Sequence, residues 1–287
     1  MNTLVVELER LAALRLRDEL ESAGYEFRDV GYALFAAKGE NVNVVCYTSG
    51  KLVVQGKGIS DFRLQRLSAV TPQRKSTLKT ALIGADEAGK GDYFGPLVVA
   101  AAALGPELEP FLDEVPLIDS KLLSDAQVIA AAETLSTVLP NEVIVIGPLR
   151  YNELYEQFGN LNKLLAWAHA KAIGEVAKKS GVKDVLLDQF TTQPLVQDNL
   201  DRANVDVNLT MRTKAESNPA VAAASILARA GFLKGLKHLE QEFGVRLAKG
   251  AGDPVLKAGR ALIAAKGRRM LDNVAKLHFK TTIDIGG

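Results

Sequence analysis

Three separated segments of this chain end or begin an apolar run on acidic residues. LIGADEAG carries Asp86 and Glu87, VLLDQF carries Asp188, and TKAESNPAVAAASILAR places Glu216 just ahead of a long apolar stretch. Each run should be buried, and an unpaired charge taken out of water costs several kcal/mol, so the acids restrict how the runs can be packed. Taken singly, each is more readily a turn former, a helix cap or half of an ion pair. Four carboxylates converging at the end of one sheet would instead be the ligand set of a divalent-metal site, which argues for hydrolysis of phosphate esters.

Two of the runs are strand-like and close on their acids, so two strand ends are expected to present carboxylates. Glu216 precedes a segment of helix-forming residues, where the free N–H groups and dipole of a helix start favour an anion. Oxygen ligands without a His or Cys cluster select magnesium or manganese over zinc. The histidines His169, His238 and His278 are scattered and read as core or surface residues, and Cys46, the single cysteine, as a small core residue without a redox role. With two hard ions about 4 Å apart, one can activate a water while the other stabilises the leaving oxygen, and no side-chain nucleophile is needed.

The order of patterns predicts an α/β domain. ALIGADEAG and PLVVAAAAL form neighbouring strands joined by the turn Gly89 to Pro96, NEVIVIGP is another strand, and VKDVLLDQF ends in Asp188. Apolar residues at i, i+3, i+4 mark helices in SDAQVIAAAETLSTVL, LNKLLAWAHAKAIGEVAKKS and NPAVAAASILARAGFLKGLKHLEQEFG. A mixed five-stranded sheet with helices on both sides and a helical C-terminal part is expected, with the site at the carboxyl ends of the strands.

The motifs DEAGKGDYFGP, DSKLLSD from Asp119 to Asp125, NLNKLLAWAHAKAI, LLDQF and TKAESNPAVAAASILAR resemble, in order, those of the type 2 ribonucleases H. The GDYFGP continuation, the N-x-N-x-LLA segment, Glu at position 216 and the N-terminal extension are similar to the HIII branch. The resemblance spans residue 80 to the C-terminus and, separately, the extension. It implies a ribonuclease H fold, Mg²⁺ or Mn²⁺ as a pair of ions, and cleavage of the RNA strand of RNA/DNA hybrids to 3′-hydroxyl and 5′-phosphate ends. It also implies Asp86, Glu87, Asp188 and Glu216 as catalytic metal ligands. Substrate contacts carried over with it are Gly89, Lys90 and Gly91, whose glycines let backbone approach a 2′-hydroxyl, together with the phosphate-contacting Lys121 and the groove residues Asn160, Asn162 and Ser225. In HII relatives a Gly-Arg-Gly reads the RNA–DNA junction. Here Lys90 stands in place of Arg, and Lys lacks the planar fork. Two alternatives remain open: an HII-like enzyme excising single ribonucleotides from DNA, and a non-catalytic nucleic-acid binder.

Residues 1–70 read as a small α+β module. An amphipathic pattern, LERLAALRLRDELESAG, ends at Gly24 and is followed by short alternating strands through YEFRDVGYALFAA and VNVVCYTSGKLVVQGKG. The hairpin YTSGKLVVQG resembles the sheet of a TATA-binding-protein-like domain. Its turn is Ser49–Gly50, and Lys51, Val53 and Gln55 share one face, making Lys51 and Gln55 candidate nucleic-acid contacts. The polar stretch 71–79, TPQRKSTLK, is expected to link it to a domain over 80–287.

The net charge of +1 is sorted along the chain: +3 over residues 1–79, −8 over 80–245 and +6 over 246–287. Basic flanks around an acidic centre suit a polyanion held at its backbone while metal ions neutralise the middle. The longest uninterrupted apolar run, Leu97 to Leu104, is too short to span a bilayer. MNTLVVELERL carries acids where a signal peptide has a basic start. A cytoplasmic monomer without membrane contact is expected.

Overall fold

A computed structural model of the chain describes residues 3–39, 41–62, 66, 67, 78–112, 115, 117 and 120–286, with the side chains of Ser60, Pro110, Phe111 and Glu216 left outside the description. Two compact units divide the chain, Met1–Thr77 and Leu78–Gly287. Residues 71–77 of the expected linker lie outside the described residues.

In the first unit, strands β1 (Thr3–Glu7), β2 (Glu26–Arg28), β3 (Ala33–Gly39), β4 (Val42–Tyr47) and β5 (Lys51–Gly56) form an antiparallel sheet in the order β1-β5-β4-β3-β2. Helix α1 (Arg10–Ser22) turns Ala13, Leu16 and Leu20 into one core with Val44, Cys46, Leu52 and Val54. The β4–β5 hairpin folds as its sequence predicts. Gly50 takes a φ of 89°, a conformation open to glycine, and a Cβ there would meet the Leu8 carbonyl oxygen at 2.7 Å. Leu52 and Val54 are buried while Lys51 and Gln55 are exposed. The expected module began with its helix, but a strand precedes it: β1 pairs with β5, setting Thr3 opposite Gln55 and Glu7 opposite Lys51.

In the second unit, β6 (Leu82–Ala88), β7 (Leu97–Leu104), β8 (Asn141–Ile146), β9 (Asp184–Asp188) and β10 (Asn208–Arg212) form a mixed sheet in the order β10-β9-β6-β7-β8. β6, β9 and β10 run parallel, and β7 and β8 run antiparallel to their neighbours. The helices are α2 (Asp125–Val138), α3 (Pro148–Phe158), α4 (Leu161–Ser180), α5 (Leu195–Arg202), α6 (Pro219–Phe243), α7 (Asp253–Lys266), α8 (Met270–Val274) and α9 (Lys280–Asp284). β7 shows why both faces are covered. Val98, Ala100, Ala102 and Leu104 pack under α2 and α6, and Leu97, Val99, Ala101 and Ala103 under α3 and α4. A strand with no polar side chain on either face can be buried only between two helical layers.

β6 and α6 meet at backbone distance. A Cβ on Gly84 would stand 2.1 Å from the carbonyl carbon of Ala220 and 2.3 Å from the nitrogen of Val221, so only glycine admits the helix start there. Among the described residues α6 is also the one helix long and apolar enough to cross a bilayer, although Ser225, Arg229 and Lys234 interrupt its apolar run. With 67% of its most apolar stretch buried, it is the central core helix of this unit.

Candidate active site

Side-chain alternation decides which way each acid points. Ile83 and Ala85 of β6 face α4, whereas Gly84 faces α6. Continuing the period of two, Asp86 faces α6 and Glu87 faces α4, so the adjacent acids stand on opposite faces of the sheet. Their partners agree: Asp86 accepts a hydrogen bond from Ser225 of α6, and Glu87 Oε2 accepts one from Nε2 of His169 of α4 at 3.1 Å. In β9, Leu186 packs with Ala215 and Val221, placing Asp188 on the same face as Asp86.

Asp86 does not close its strand as expected, because β6 pairs with β7 through Ala88. The parallel ladder with β9 does end earlier, at Ala85–Leu187, so Asp86 and Asp188 come side by side one residue beyond it. Asp188 Oδ1 accepts the Ala215 N–H at 3.1 Å. This fastens the 3-10 turn Ala215–Ser217, which contains Glu216, beside the two aspartates. The side chain of Glu216 lies outside the described residues.

Charge is concentrated here. Burial, then the neighbouring Glu87 charge, pushes the Asp86 carboxyl up to about 6, against hydrogen bonds from Ser225 and the Glu87 N–H. Burial would raise Glu87 too, but the hydrogen bond and charge of His169 and those of Lys90 outweigh it and hold the carboxyl below its usual value. Lys90 Nζ is 3.2 Å from Glu87 Oε1.

Asp86, Glu87, Gly89, Lys90, Gly91, Lys121, Asp188 and Ser225 line one groove of about 700 Å³, joined by Arg229 and Lys249. Asp125 binds both of these cations, Arg229 Nη2 at 2.9 Å and Lys249 Nζ at 2.7 Å, and Arg229 also donates to the Ser120 carbonyl. Gly89 is demanded by the backbone, with φ +82° and the Pro96 carbonyl oxygen 2.2 Å from where a Cβ would stand. Gly91 is not: a Cβ there would meet nothing within 4 Å, so its free space opens onto the groove. Ser225 is buried, 2.9 Å from Ser120 Oγ, and supports Asp86 from the floor.

Asn160 and Asn162 are not in this groove. They line a second one of about 590 Å³ with Gln189, Phe190 and Thr213, and the Asn160 side chain caps α4 by accepting the Asn162 N–H at 2.7 Å. Lys51 and Gln55 belong to the first unit. Two site residues escaped the sequence reading. His169, taken for an uninvolved core or surface residue, is buried against Glu87. Lys276, fully buried, donates from Nζ to the carbonyls of Asp92 and Gly95, both at 2.7 Å, and so pins the loop that carries Gly89–Gly91.

The donor set is one of hard oxygens, and the repulsion between Asp86 and Glu87 is what a divalent cation would relieve. Among the described residues no three His, Cys, Asp or Glu side chains stand at metal-holding spacing. Asp86 and Asp188 are two members of the expected set, and Glu216 is the member whose side chain is not described.

The family model described as Ribonuclease HII matches residues 83–282, and one described as a domain of unknown function, DUF3378, matches residues 4–77. The chain is 40% identical over 278 residues to the Ribonuclease HIII of Chlamydia caviae, covering 94% of this chain and 93% of that one. It is 38% identical over 285 residues to the Ribonuclease HIII of Protochlamydia amoebophila, covering 96% and 94%. Its fold is similar to the crystal structure of Bst-RNase HIII in complex with Mn²⁺, with a TM-score of 0.67 at 28% identity over 99% of this chain and 98% of that one. Aquifex aeolicus RNase H3 matches with a TM-score of 0.58 at 30% identity, over 96% and 100%. The β10-β9-β6-β7-β8 sheet is thus the ribonuclease H fold, and the protein is a hydrolase of the ribonuclease H class. Within that class the chain belongs to the ribonuclease HIII family.

Proposed function

We propose that the protein is an endoribonuclease that cuts the RNA strand of RNA/DNA hybrids by two-metal-ion hydrolysis, leaving 3′-hydroxyl and 5′-phosphate ends. The observation that carries this reading is the placement of Asp86 and Asp188 side by side, on one face, just past the end of a parallel ladder. Asp86, Glu87, Asp188 and Glu216 hold Mg²⁺ or Mn²⁺, in keeping with the Mn²⁺ complex of Bst-RNase HIII. Bound there, the ions supply the activation of water and the stabilisation of the leaving oxygen.

The chain's own groups do the rest. Ser225 and the Glu87 N–H orient Asp86, while the Ala215 N–H orients Asp188. The open face of Gly91 lets backbone approach the ribose 2′-hydroxyl, the group that distinguishes RNA from DNA. Lys90, Lys121, Arg229 and Lys249 line the groove as cations for phosphate. The second groove, with Asn160 and Asn162, takes flanking nucleotides. The exposed Lys51–Gln55 face of the first unit is a sequence-independent hold on the hybrid, and the protein works as a cytoplasmic monomer.

Asp188→Asn should abolish cleavage of a labelled hybrid while leaving hybrid binding in Ca²⁺ intact. Retained turnover would refute the ligand assignment.

A further inference from the structure

Buried polar side chains are few among the described residues: Ser120, His169, Ser225, Lys276 and Thr281. Ser120 and Ser225 support Asp86, and Lys276 supports the Gly89–Gly91 loop. His169 is the one on the α4 side of the sheet, and the mechanism above gives it no task. Its position in α4 is inside an apolar layer, between the fully buried Leu165 and Ile173 one turn away on either side. A side chain that only filled this layer would be cheaper as an apolar one, since a buried polar group is favourable only where it is bonded.

The imidazole is bonded on one side. Nε2 lies 3.1 Å from Glu87 Oε2, and because a carboxylate only accepts, Nε2 carries the proton. Nδ1 has no hydrogen-bond partner among the described residues. Around this contact four groups close a ring. His169 stacks on Phe190, with centroids 5.3 Å apart and planes at 20°. The Lys90 ammonium sits 5.4 Å from the centroid of the same Phe190 ring, and Lys90 Nζ returns to Glu87 Oε1 at 3.2 Å. Phe190 is two residues beyond Asp188, so one segment supplies a groove carboxylate and the ring against which the other two groups rest.

We propose that His169, backed by Phe190, is a positioning residue that fixes the Glu87 carboxylate for divalent metal. Each Glu87 oxygen has one protein donor, His169 on Oε2 and Lys90 on Oε1, and keeps a lone pair for a ligand. Without the Nε2 donor the carboxylate is free to rotate about its last side-chain bonds and to pair more closely with Lys90, and the metal must order it on binding. Outer partners of metal ligands typically carry about 10- to 100-fold in metal affinity or activity. The inference rests on the assignment of Glu87 as a metal ligand.

The test compares the full-length wild type with His169→Phe, which keeps a ring on Phe190 but has no donor, and His169→Gln, which keeps an N–H donor near the Nε2 position. Mn²⁺ binding is measured without nucleic acid, by the loss of the free-ion EPR signal, beside thermal melting and hybrid kinetics. His169→Phe leaves Glu87 Oε2 without its donor and should melt below the wild type while still folding, bind Mn²⁺ about 10- to 100-fold more weakly and lose kcat with little change in KM. His169→Gln should regain most of the affinity. Should His169→Phe not fold, His169→Met in the same assay carries the same expectation. Wild-type Mn²⁺ affinity in the donor-less variant, or equal losses in both variants, would overturn the inference while leaving the hydrolase reading intact. A wild type that bound no Mn²⁺ and cut no hybrid would overturn both.

Discussion

Replacing Asp86 by asparagine should stabilise the metal-free protein at neutral pH. Burial and the Glu87 charge raise the Asp86 carboxyl from 3.8 to about 6. At 1.36 kcal/mol per unit, a shift of about 2 units is about 3 kcal/mol. A carboxyl raised on folding binds its proton more tightly in the native state. Its contribution to stability is therefore whole below about pH 4 and lost as pH rises through about 6. Asp86→Asn preserves the shape and the acceptor for the Glu87 N–H, which lies 2.8 Å from Asp86 Oδ1. Urea unfolding in EDTA should thus give nearly equal stabilities at about pH 4 and a variant more stable by about 2–3 kcal/mol at about pH 7.5. Adding Mn²⁺ should stabilise the wild type and leave the variant behind, because the ion binds the native carboxylates. Equal stabilities in EDTA at both pH values, or a more stable wild type at neutral pH, would refute the electrostatic account of the site.

Gly84→Ala should cost about 3 kcal/mol or more in urea unfolding, because the new Cβ meets the Ala220–Val221 backbone at 2.1–2.3 Å; an unchanged midpoint would refute the close contact. Lys276→Met leaves the Asp92 and Gly95 carbonyls unbonded, at about 1–3 kcal/mol each, and should raise KM for the hybrid by loosening the loop. Burial lowers the Lys276 ammonium to about 7 from 10.5. Between those values the unfolded chain holds the extra proton, so wild-type stability should climb with pH through that window and the climb should vanish in Lys276→Met. Removing residues 1–77 should weaken hybrid binding and flatten the slope of log K against log salt, as expected when phosphate contacts are lost.

Local pattern made much of the second unit legible. LVVAAAAL can only be a doubly covered strand, and LNKLLAWAHAKAIGEVAKKS lies between the capping Asn160 and a left-handed Gly181, so its helix was readable to the residue. β1 and β10 were not, because each is a five-residue segment that is a strand only through a partner, β5 some fifty residues later for the one and β9 for the other. The acids themselves were legible because each adjoins an apolar run. Their facing was not assigned, although alternation along β6 contains it once the sheet is given two covered faces. His169 was invisible for a different reason: helical periodicity puts it on the buried face, but only the tertiary packing of α4 on β6 brings it to Glu87.

The measurement that bears most directly on the account is cleavage of an end-labelled all-RNA/DNA hybrid beside a DNA duplex carrying a single ribonucleotide, in Mg²⁺, Mn²⁺ and EDTA. The account predicts multiple cuts in the RNA strand of the hybrid with either ion, none in EDTA, and little incision at the single ribonucleotide. Efficient incision at the single ribonucleotide with an intact hybrid would contradict it, as would cleavage that survives EDTA.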